Sequence, residues 1–118
     1  MKLYNKNYEF LLTVGAVSKV SELCPQGDLS KITEILDGPY ANVLEVIAQL
    51  AEAMTVGYIQ NADLFYGTHK DYEVLTSEMV KALPAPLFKG VKEAVVKAFA
   101  DGVASNIDAE QAENTKKK

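Results

Sequence analysis

The stretch YANVLEVIAQLAEAMTVGYIQNA, residues 40–62, decides the fold. Its strongly polar positions up to Gln60 are Asn42, Glu45, Gln49, Glu52 and Gln60, and the first four recur at intervals of three, four and three. At helical spacing these four form one narrow polar stripe, while Val43, Leu44, Val46, Ile47, Leu50 and Met54 cover the rest of the circumference. A helix that is apolar on most sides is packed on most sides, so this one is expected to be central. The same polar stripe weighs against a membrane-spanning role, because Glu45, Gln49 and Glu52 would sit in the hydrocarbon.

Upstream, two short extended pieces flank Asn5-Lys6-Asn7, where asparagine tolerates the positive dihedrals of a tight turn. Tyr8, Phe10 and Leu12 alternate with a period near two, which completes the signature of a small β-hairpin. Thr13 is placed to cap a helix over 14–23 with Ala16, Val17, Val20 and Leu23 on one face, ended by Pro25. Asp28 opens a short second helix with Leu29, Ile32, Ile35 and Leu36 on its apolar face, closed by Gly38 and Pro39.

Downstream, residues 63–74 follow neither period and contain Gly67 and the polar run Thr68-His69-Lys70-Asp71, so they read as a turn or exposed loop. Thr76 then caps a helix that stops at Leu83 before Pro84. Pro86 suits the first turn of a last helix with Leu87, Phe88, Val91, Ala94, Val95, Ala98 and Phe99 on its apolar stripe, ended by Gly102. Residues 103–118 hold almost nothing large to bury and read as a flexible tail. The expected architecture is mainly α: a compact bundle of about five helices over residues 1–102, a short N-terminal β-hairpin and a disordered C-terminal tail.

Composition narrows the function. Twelve lysines and no arginine stand against sixteen acidic residues, a formal charge of −4, which leaves no electropositive footprint for nucleic acid. Cys24 is the only cysteine, so no intramolecular disulfide framework exists and a reducing cytoplasm suffices. It has no cysteine partner, and the nearby helix start is a weak route to an activated thiolate. His69 is the only histidine, in a polar loop near Asp63 and Asp71, and a metal would need ligands from elsewhere. No glycine-rich loop or Gly-Lys-Ser/Thr triplet cradles a phosphate. The chain is therefore read as a protein-binding domain, not an enzyme, without cofactor or metal and without a membrane or nucleic-acid partner.

Candidate contact residues are the aromatics of the aperiodic segment, Phe65, Tyr66 and Tyr72, which either fold over the core edge or meet a partner. Glu45 and Glu52 join them as carboxylates two turns apart on the polar stripe, with a solvated face as the plainer reading.

Three segments, YEFLLTVGA at 8–16, LCPQGDL at 23–29 and LTSEMVKALP at 75–84, resemble the tail assembly chaperones of long-tailed, siphovirus-like bacteriophages. The resemblance covers about residues 3–101 and rests on structural signatures, the Thr13-Val14-Gly15-Ala16 step and the late Thr-x-Glu segment before Leu83-Pro84, not on a catalytic fingerprint. It implies a non-enzymatic protein that coats the helical tape measure protein and helps recruit tail tube subunits. It also implies residence in the cytoplasm of the bacterial host, absence from the mature virion, and often a longer frameshifted form, with which Lys116-Lys117-Lys118 is compatible. Self-association along the partner helix fits the same reading. The other class left open is a small, antitoxin-like regulator or adaptor that binds a protein through the 63–74 loop. Turnover depending on His69 or Cys24 would mark an enzyme instead.

Overall fold

The computed structural model describes residues 1–28 and 31–116, and for Pro25 and residues 104–116 the backbone alone. It is mainly helical, with five α-helices among the described residues: α1 (Val14–Ser21), α2 (Ile32–Leu36), α3 (Tyr40–Tyr66), α4 (Ser77–Lys81) and α5 (Ala85–Lys116). An antiparallel pair precedes them, β1 (Lys2–Leu3) and β2 (Lys6–Asn7).

α3 is the axis of the molecule, and α1, α2, α4 and α5 all pack on it. Ile47, Leu50 and Met54 on α3 are fully enclosed, together with Val20 of α1, Val91 and Val95 of α5, and Leu75 from the segment before α4. Each such side chain contributes about 1.5–3 kcal/mol through removal from water. α3 starts after Pro39, whose carbonyl accepts from the amides of Asn42 and Val43 at 3.0 and 3.2 Å. It ends at Gly67, in the left-handed conformation at φ 81° that helix ends commonly recruit glycine to supply.

The polar stripe of α3 is a line of attachments for the chain that follows it. Thr55, fully buried, donates to the Ala51 carbonyl at 2.7 Å and accepts from the Leu75 amide at 3.0 Å. Glu52 accepts from the Ser77 amide at 2.9 Å, and Glu45 pairs with Lys81 at 2.7 Å while accepting from Gln49 at 3.1 Å. These contacts run the 75–81 segment alongside α3. No buried side-chain polar atom among the described residues lacks a hydrogen-bond partner.

The two threonine caps fall where the sequence places them, whereas α2, expected to open at Asp28, begins at Ile32 with Lys31 at its cap position and no side-chain cap bond there. Thr13 accepts from Ala16 at 3.1 Å and Thr76 from Met79 at 3.2 Å. α1 and α4 are shorter than expected, since the chain leaves the α-helix at Glu22 and Ala82 before reaching the prolines. The hairpin forms, but its turn residues are Tyr4 and Asn5, both at positive φ (48° and 66°), and Lys6-Asn7 belong to β2. Tyr72 bridges Asn7 in parallel, and Glu73 donates to the Asn7 carbonyl at 3.0 Å, which ties the hairpin to the segment after α3.

Two further boundaries differ from the sequence expectation. α3 continues through Asp63, Leu64, Phe65 and Tyr66, because nothing before Gly67 opposes a helix there; the connection is correspondingly shorter than 63–74. Gly102 lies inside α5 instead of ending it. Its missing Cβ makes room for Leu12: a Cβ there would stand 2.6 Å from that of Leu12. Leu29 and the last two residues, Lys117 and Lys118, lie outside the described residues, and the flexible tail expected over 103–118 falls largely on residues whose side chains are not described.

Candidate interaction surface

The extended segment 8–13 is threaded between two helices. Its alternation places Tyr8 and Phe10 in the core and turns Glu9 and Leu11 outward. The Leu11 amide donates to the Met54 carbonyl at 3.1 Å, so the segment lies directly against α3. Gly57 permits that approach, since a Cβ there would meet the Thr13 hydroxyl at 2.7 Å and the Leu11 carbonyl at 3.1 Å. Gly102 of α5 performs the same service for Leu12 from the other side.

Beyond the buried Ala62, α3 overshoots the body of the molecule by its last turn. Leu64, Phe65 and Tyr66 are 79%, 74% and 79% exposed, and Val14, at the start of α1 across from them, is 89% exposed. Between the two helix ends opens a cleft of about 480 Å³, lined by Leu11, Leu12, Val14, Gly57, Leu64 and Phe65 with Gln60 and Asn61 at its edge. No lining residue carries a charge. A smaller recess of about 280 Å³ continues from it along α1 and α3, past Gly15, Ala16, Ala53 and Val56. A third, of about 450 Å³, lies on the far side of Leu11 and Leu12 against α5, where Glu9, Lys97 and Asp101 supply charge.

Large apolar side chains scattered singly over a surface are ordinary, but Val14, Leu64 and Phe65 gathered beside an open neutral cleft make this face the candidate interaction surface. Dispersion and loss of hydration would drive contact there, with Gln60 and Asn61 available for polar contacts at the edge.

The candidate residues divide. Phe65 lines the cleft, and Tyr66 is exposed next to it without lining it; both lie on a helix and not on a loop. Tyr72 lies apart from it, half-buried edge-to-face against Tyr58 with ring centroids 4.9 Å apart. Glu45 and Glu52 are engaged with Lys81 and the Ser77 amide, on the stretch of α3 that receives α4. The hydrogen bond from Lys81, then that from Gln49, holds the Glu45 carboxyl below the ordinary glutamate value. Leu11, Val14 and Leu64 escape a reading based on aromatics. One signal does point to Leu64: three consecutive large apolar residues in a helix, Leu64, Phe65 and Tyr66, span about 200° of its circumference, too wide for one-sided packing to cover.

Reactive groups do not converge on this surface. His69 Nδ1 and Asp63 Oδ1 lie 2.8 Å apart on the flank of the last α3 turn. Cys24 is buried and donates to the Val20 carbonyl at 3.6 Å; burial first, and then the charge of Asp28, pushes its thiol upward, away from the reactive thiolate. Among the described residues no three His, Cys, Asp or Glu side chains gather as metal ligands, and no helix is long and apolar enough to cross a membrane. No family model, curated protein or solved structure matches the chain.

Proposed function

We propose that this protein is an assembly chaperone that holds an aggregation-prone helix in solution through the face made by α1, the 9–13 segment and the end of α3. The observation that carries the reading is the exposed set of Val14, Leu64 and Phe65 around an uncharged cleft, with Tyr66 exposed beside them at the end of the same helix. An amphipathic helix presents its apolar residues at a spacing that such a groove accepts, and several copies along one long helix gain avidity from weak single contacts. The resemblance of residues 8–16, 23–29 and 75–84 to phage tail assembly chaperones supplies the partner. In this reading the helix is that of the tape measure protein, tail tube subunits displace the chaperone in the host cytoplasm, and the chaperone is left out of the finished virion.

Co-expression tests it. The wild-type chain keeps a tape measure protein in the soluble fraction, and Phe65→Asp, at a side chain that supports no core, loses that effect while remaining soluble itself. A tape measure protein that precipitates equally with and without the wild-type chain ends the proposal. The regulator reading draws on the same exposed Phe65 and Tyr66, but Tyr72 at the other end of its proposed segment is occupied by Tyr58.

A further inference from the structure

We draw no further inference here: the strongest candidate, the recess between α1 and α3 that runs on from the cleft at the α3 tip past Gly15, Ala16 and Ala53, belongs to the surface already described, and nothing in the structure shows what covers it.

Discussion

The middle of α3 encloses Ile47, Leu50 and Met54 completely, while its last turn leaves Leu64, Phe65 and Tyr66 in solvent. The side chains are of the same kind and belong to one continuous helix, so intrinsic hydrophobicity does not separate the two regions. Coverage separates them. Around the middle, α1, α4 and α5 close in, and the polar stripe is occupied by the 75–81 segment. At the end, the chain turns away at Gly67 and no described residue folds back over the helix tip. Burial of the first set stabilises the fold, whereas exposure of the second opposes solubility unless a partner covers it.

The largest expected effect lies in the enclosed region. Leu50→Ala removes a fully buried side chain and is expected to cost about 2–5 kcal/mol in urea unfolding, against less than about 0.5 kcal/mol for Phe65→Ala. Equal losses at the two positions would erase the contrast. A smaller effect sharpens the role of the polar stripe: Thr55→Val keeps the shape but leaves the buried Leu75 amide without its acceptor, at a cost of about 1–3 kcal/mol in the same experiment. Faster amide exchange at Leu75, with the end of α3 unaffected, would accompany it.

The smallest effect is electrostatic. Because the folded Glu45 carboxyl is held below its unfolded value by Lys81 and Gln49, its contribution is present above the unfolded value and is lost as pH falls through the folded one. Glu45→Gln is therefore expected to flatten the acid side of the stability profile slightly and leave the alkaline side parallel to wild type. The effect is slight because the pair is half-exposed and screened.

Much of the enclosed region is legible in the sequence. The three-four-three recurrence of Asn42, Glu45, Gln49 and Glu52 fixes the helix and its orientation, and the threonine caps and proline stops bracket its neighbours. What Glu52 and the neighbouring Thr55 bind is not legible, since their partners are backbone amides 25 and 20 residues away, and every residue type except proline carries one. Gly102 reads as a helix end because the letter is the same for a stop and for a close approach; only the position of Leu12 distinguishes them. The candidate surface was half legible. Phe65 and Tyr66 stand out as aromatics, yet their exposure depends on where other elements are absent, and Tyr72, equally aromatic, is closed off by Tyr58 from within α3.

The central claim is that the tip of α3 exists to dock a protein and not to hold the fold together. The direct measurement pairs the urea midpoint of Phe65→Asp with the soluble fraction of a co-expressed tape measure protein. The account predicts a midpoint close to wild type and a soluble fraction fallen to that seen without the chaperone. A midpoint lowered as far as that of Leu50→Ala, or a client kept fully soluble by the variant, would contradict it.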